Sequence, residues 1–211
     1  MDNNKEEFEK AKKELEEKII TDLFNFVKDG SIPKPMETTF MDCYNLIYDL
    51  CDKGLGEELL NYHNDKIRLV VTDVYEKLKN LSGLELLNSF ISYTERLNNM
   101  IHIMARIFLY LSRQYLLEEQ NISEFSMDIF KKNLFDKLQN NLFTVVKKLI
   151  KEGEKNQDTE IKINYFMKLI EYLDYTRPII AKKNSTHVVW QETGNNPGPK
   201  QYKKMWDEFQ G

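Results

Sequence analysis

The sequence has little of what breaks helices, staples small folds or does chemistry. Glycine occurs 8 times and proline 5 times in 211 residues, too seldom for a turn-rich β architecture or a disordered linker. Val188-Val189-Trp190 is the one run that favours a strand. Of the two cysteines, Cys43 and Cys51, each falls in the same expected helix, too far apart along its axis for a disulfide. Reduced thiols point to a cytoplasmic or nuclear compartment. The three histidines, His63, His102 and His187, stand apart, with no Cys-x-x-Cys or His-x-x-x-His spacing, so a metal site has no ligand set. No glycine-rich loop follows a strand, which removes nucleotide cofactors. No apolar run is long enough to cross a bilayer, and Met1 to Glu7 is polar where a signal peptide needs an apolar stretch. The formal net charge is -4, with lysines interspersed among acidic residues rather than gathered in a stripe. The sequence therefore carries no nucleic-acid footprint and no membrane segment.

What is present is helical periodicity. Hydrophobic residues make up 41% and charged residues 30% of the chain. From about Asn3 to Asp29, Phe8, Leu15, Ile19, Leu23 and Val27 recur mostly four apart, and Gly30 supplies the left-handed residue past a helix end. Ser31 to Pro35 is a stiff breaker. Thr39 and Asp42 resemble a capping box opening a second helix toward Asp52, closed by Gly54-Leu55-Gly56. A third helix spans about Glu57 to Asn80. Ser82-Gly83-Leu84-Glu85 reads as another capping box, followed by a pattern through Leu86, Phe90, Leu97, Ile101, Met104, Phe108, Leu111 and Tyr115, which counts as one helix or as two with a break or kink near Asn98-Asn99. Further helices are predicted at about Ser123 to Leu138, Asn141 to Glu152 and Asp158 to Asp174. Thr176 to Lys200 reads as an irregular loop, and Gln201 to Phe209 as a last short amphipathic helix carrying Tyr202, Met205, Trp206 and Phe209. The expected class is all-α, a bundle of about seven to nine helices.

No residue is assigned a catalytic, cofactor-binding or metal-binding role, and an enzyme is not the reading. A thiol nucleophile from Cys43 or Cys51 with His63 is weighed against buried inert thiols, the commoner state for cysteines at apolar helical positions. His102, between Ile101 and Ile103, reads as a packed or helix-boundary histidine. The second helix is different. Phe40, Tyr44, Tyr48 and Cys51 form one ridge, with Met41, Leu46 and Leu50 falling elsewhere, whereas a surface helix normally buries a single stripe. Either one stripe is an exposed patch for a protein partner, or neighbours bury most sides of the helix; the pattern leaves both open.

Two segments carry a resemblance. Phe40-Met41-Asp42-Cys43-Tyr44-Asn45-Leu46-Ile47-Tyr48-Asp49-Leu50-Cys51 resembles the second helix of the first cullin repeat, with its F-x-x-x-Y-x-x-x-Y ridge. Met104-Ala105-Arg106-Ile107-Phe108-Leu109-Tyr110-Leu111-Ser112-Arg113-Gln114-Tyr115-Leu116 is similar to that family's I-x-x-Y-L-x-R-x-Y-V signature. Val146 to Glu154 echoes a degraded L-L-x-x-I-x-x-E-R-x-G-E run, and the resemblance covers about Phe8 to Leu173. It implies a first five-helix repeat over 1–155 and the start of a second over 156–211, with the irregular loop at 176–200 inside it. It further implies a non-catalytic scaffold arm of a cullin-RING-type ubiquitin ligase. A BTB-fold adaptor (Skp-, elongin C- or BTB-domain-like) would dock on Phe40, Met41, Tyr44, Tyr48, Tyr110 and Arg113, with no cofactor. A RING protein would be a partner only if the chain belongs to a longer cullin, because 211 residues are too few for the RING-binding region. The alternative is an unrelated all-helical repeat or tethering protein sharing only periodicity.

Overall fold

The computed structural model describes residues 2–31, 37–116, 121–152 and 157–175, and every regular element among them is helical. The breaker at 32–36, the 176–200 loop, the 201–209 helix and the repeat boundary near 155 lie outside those residues.

The first rod is α1 (Asp2–Leu15), a π-helical turn (Glu16–Ile20) and α2 (Thr21–Asp29). Its apolar positions Ala11, Leu15, Ile19, Leu23 and Val27 are buried, and the wider turn buries Ile20 as well. At that turn Glu16 accepts from the Tyr62 hydroxyl at 2.9 Å and pairs with Lys66, which ties the rod to the third helix of the sequence reading. Gly30 ends the rod at φ 80°, its N–H reaching the Phe26 carbonyl.

Next comes α3 (Glu37–Asp52), which starts before Thr39, so the expected Thr39–Asp42 box is not its cap. Asp42 instead takes Lys18 Nζ at 3.0 Å from the first rod. The buried stripe of α3 is Cys43, Ile47, Leu50 and Cys51. Cys51 is buried with that stripe although the 100° step per residue sets it between Phe40 and Tyr44; it lies at the end of the helix where the Tyr115 hydroxyl reaches its carbonyl.

Central to the bundle is α4 (Gly56–Leu78), which buries Leu59, Leu60, Ile67, Val70, Val71, Val74 and Leu78. Then α5 (Gly83–Ile107) begins after Ser82, whose backbone is extended as an N-cap requires but whose hydroxyl makes no capping bond. The helix is continuous through Asn98 and Asn99, where a break or kink was the other reading, and both side chains are exposed. The break comes at Phe108 (φ -89°, ψ 18°), after which α6 (Leu109–Tyr115) follows. Phe108 is fully buried and meets the His63 ring edge-on at 5.1 Å. Buried Ser112 secures the corner, its hydroxyl donating to the Phe108 carbonyl and accepting from the Ile122 N–H.

A second π-helical turn (Lys131–Phe135) joins α7 (Ile122–Phe130) to α8 (Asp136–Glu152). The gap expected between Leu138 and Asn141 is absent: Leu138 and Leu142, four apart, are buried on one continuous face. Counting each π-joined rod once, the described residues form seven helices. In the last, α9 (Gln157–Tyr175), Phe166 sits among Phe90, Phe135 and Phe143 at ring distances of 6.2, 6.3 and 5.6 Å. One hydrophobic core thus runs from α1 to α9.

Candidate functional site

The resemblance-derived residues lie on α3 and α6, and contacts between these helices fix their geometry. The Arg106 guanidinium stands over the Phe40 ring at 4.8 Å, Tyr48 and Tyr110 meet at a tilt of 55° with ring centroids 4.5 Å apart, and the Tyr115 hydroxyl reaches the Cys51 carbonyl at 3.4 Å. Positions 40, 48 and 51 thus pair in ascending order with 106, 110 and 115. The end of α5 and all of α6 therefore run parallel to α3, and the aromatic row lies along their seam.

Phe40 and Tyr44 are half-buried in that row, and Tyr110 is partly buried against the core. Burial, and after it the neighbouring Tyr48 phenol, pushes the Tyr110 hydroxyl above its ordinary pKa. Tyr48 is 41% exposed and Met41 55% exposed. Met41, Tyr44 and Tyr48 fall three and seven residues apart, so they share one face of α3. Arg113 is exposed on α6 just under a turn beyond Tyr110. Of the two open readings of α3, the exposed patch is the one found: the helix buries one stripe and shows Met41 and Tyr48 beside it. Met41 is more exposed than Tyr44 or Tyr48.

Two residues of this face were not singled out from sequence. Arg106 lies within the quoted signature, but only the parallel packing of two distant segments places it over Phe40. Leu109, 39% exposed, shares a face of α6 with Arg113, four residues on. Leu109 falls off the buried stripe of Met104, Ile107, Phe108 and Leu111 by helical spacing and so stands outward.

Among the described residues no three His, Cys, Asp or Glu side chains gather to hold a metal ion, and no helix is long and apolar enough to cross a membrane. Cys43 and Cys51 are buried free thiols, pushed up by burial to about 11 and about 12. His63 cannot serve either as a base: its ring nitrogens lie 3.1 Å from Asn64 Oδ1 and 3.4 Å from Ser126 Oγ, and burial pushes its pKa down to about 4. His102 is not packed as expected. It is exposed, because one residue past buried Ile101 the helix has turned its side chain to solvent.

The chain matches the family model of the cullin alpha solenoid domain over residues 12–192. It belongs to the cullin family. No curated protein and no solved structure gives a significant match. The match spans both quoted segments and every helix from the end of α1 to α9, so shared helical periodicity alone does not account for the resemblance. The chain is a cullin-type helical scaffold, and the cullin fold is a non-catalytic one whose surfaces hold other proteins.

Proposed function

We propose that this cullin-type chain is the docking arm of a cullin-RING-type ubiquitin ligase and that the α3/α6 face holds a BTB-fold adaptor, Skp-, elongin C- or BTB-domain-like. The observation that carries the reading is the Tyr48–Tyr110 pair: an exposed aromatic packed at a tilt against a second one, on two parallel helices, flanked by Met41 and Arg113. Tyrosine, methionine and arginine are the side chains that concentrate binding energy at interface centres. Tyr44 and Phe40 extend the apolar row, and the Arg113 fork offers donors to a carboxylate or carbonyl on the partner. Residues 1–155 constitute the first repeat and residue 156 opens the second. A RING protein is recruited through a separate region of a longer cullin, and the complex acts in the cytoplasm or nucleus.

The test is titration of the purified chain against a panel of purified BTB-fold adaptors by calorimetry, with wild type and a Met41→Arg, Tyr48→Ala variant. Both side chains are exposed enough for the variant to keep its circular dichroism. One adaptor binding the wild type and losing at least about tenfold, or 1.4 kcal/mol, with the variant supports the reading. No binding by any adaptor, or equal binding by both chains, overturns it.

A further inference from the structure

Apart from the α3/α6 face, with which it shares no residue, a cleft of about 330 Å³ opens between α5, α7 and α9. Small-molecule pockets begin at roughly 300 Å³. The lining of this one is graded. Leu97, Ile101 and Phe130 are buried and make an apolar floor, while exposed Asn98, His102 and Lys168 stand at the mouth. Each of those three offers a hydrogen-bond donor. No Asp or Glu among the described residues lines the cleft to pair with the Lys168 ammonium. On the inner side, the Thr94 side chain is only 3% exposed, and its hydroxyl has no hydrogen-bond partner among the described residues. A buried hydroxyl normally has one. A helical threonine can even find it on the carbonyl four residues back, as Thr144 does on Asn140 at 2.7 Å, and Thr94 does not.

We propose that this cleft binds one small amphipathic anion, with its apolar body on the floor, its acid head at Lys168 and a hydroxyl or carbonyl oxygen at Thr94. The floor supplies the affinity for an alkyl or aromatic body, since burying apolar surface is the dominant favourable term. The charge at the cleft is cationic, from the Lys168 ammonium, and a low-dielectric wall focuses it, so the site selects an acid over an amine. Thr94 decides the inner end. A ligand oxygen there satisfies a hydroxyl that a plain alkyl chain leaves unpaired, and a site of that kind discriminates between an analogue with the oxygen and one without it. Because no residue is shared with the α3/α6 face, the proposal stands apart from the adaptor reading and does not rest on it.

The test is displacement of anilinonaphthalene sulfonate, itself an aromatic body with an acid head, from the full chain by decanoate, ω-hydroxydecanoate and decylamine. The dye should bind saturably with blue-shifted emission. Both acids should displace it, ω-hydroxydecanoate at a several-fold lower concentration than decanoate, and the amine far less well. Thr94→Val keeps the shape of the side chain and removes an unpaired buried hydroxyl, so folding is not at risk. It should abolish the preference between the two acids and leave decanoate unchanged. Lys168→Glu, at an exposed side chain, should weaken both acids several-fold, with the gap to wild type narrowing at high salt. The absence of saturable dye binding, equal displacement by amine and acids, a hydroxyl preference that survives Thr94→Val, or acid binding indifferent to Lys168→Glu overturns the proposal. Dye binding that fades on dilution, with a matching dimer in sedimentation, overturns it in favour of a second copy in the cleft.

Discussion

Gly56 offers a test in which two general rules predict opposite signs. It is the first residue of α4 and is buried, and a Cβ built on it would overlap the ring of Tyr115. Helix propensity favours alanine over glycine by about 1 kcal/mol, and a less flexible unfolded chain adds to the same side. Against this, the ring is wedged between α4 and the end of α3, where its hydroxyl reaches the Cys51 carbonyl. Forcing an added methyl into packed surroundings costs about 1–3 kcal/mol, and displacing the ring gives up a hydrogen bond worth roughly 0.5 kcal/mol at that length. Packing should win for Gly56→Ala, with a net loss of about 1–2 kcal/mol, which for a chain of this size lowers the melting temperature by roughly 2–8 °C. Urea unfolding followed by circular dichroism measures it. In a Tyr115→Ala background the ring is gone, and the same substitution should be neutral or stabilising by about 0.5–1 kcal/mol, giving a coupling of roughly 2 kcal/mol. If Gly56→Ala stabilises the wild type, or changes both backgrounds equally, the close approach of Tyr115 to α4 is wrong.

Three further outcomes are expected. His63 is fully buried and faces Asn64, Ser126 and Phe108, none of them charged, with a folded pKa of about 4 against 6.5 unfolded. Between those values the unfolded state binds the extra proton, so stability falls as pH falls. The wild type should lose about 2 kcal/mol between pH 7 and 5 relative to His63→Leu in paired urea titrations, and equal slopes would refute the assignment. Cys43 and Cys51, with thiols pushed up to about 11 and about 12, should ignore a disulfide reagent at pH 8 until denaturant releases both; rapid labelling of the native chain would contradict their burial. Phe166→Ala should cost about 3–5 kcal/mol, because the ring is fully enclosed by three others from α5, the second π turn and α8. The wild-type helices should melt in one transition, whereas separate melting of α9 would show that its packing is not integral.

Helix existence and side were legible in the sequence because apolar spacing is a local property. Leu15, Leu23 and Val27, or Val70, Val74 and Leu78, could face only inward, and all are buried. Helix ends were less legible, since the competing groups are not neighbours in sequence. Asp42 looks like a capping-box member until Lys18 of another rod claims it. Asn98-Asn99 allowed a break that the helix does not have, whereas Phe108, an ordinary core residue by spacing, is where it ends. The first π turn was missed although it leaves a trace: apolar residues strictly four apart from Ala11 to Val27 drift about 40° per step round an α-helix, and the wider turn at Glu16–Ile20 brings them back to one side. For the candidate site, the aromatic row on α3 was visible as a surplus of large side chains. Arg106 was not, because the seam between α3 and α6 is a tertiary fact, and Leu109 was passed over although its spacing sets it off the buried stripe.

The proposed docking face is built on helices and not on a loop, with the junction at Phe108 beneath it. The end of α5 lies along α3, with Arg106 over Phe40, and α6 follows past Phe108 on the same side. Buried Phe108 against His63, with Ser112 bridging the Phe108 carbonyl and the Ile122 N–H, supports that junction from beneath. None of those groups reaches the outer surface. Tyr48 and Tyr110 are thus held against each other by a core they do not belong to, and a partner docking there has little backbone or rotamer freedom left to freeze, which is how a small exposed patch can bind tightly. The division also separates two kinds of variant. Substitutions at Met41, Tyr48 or Arg113 change what the face offers while leaving its support intact, whereas substitutions at Phe108, His63 or Ser112 remove the support and must lower stability and docking together.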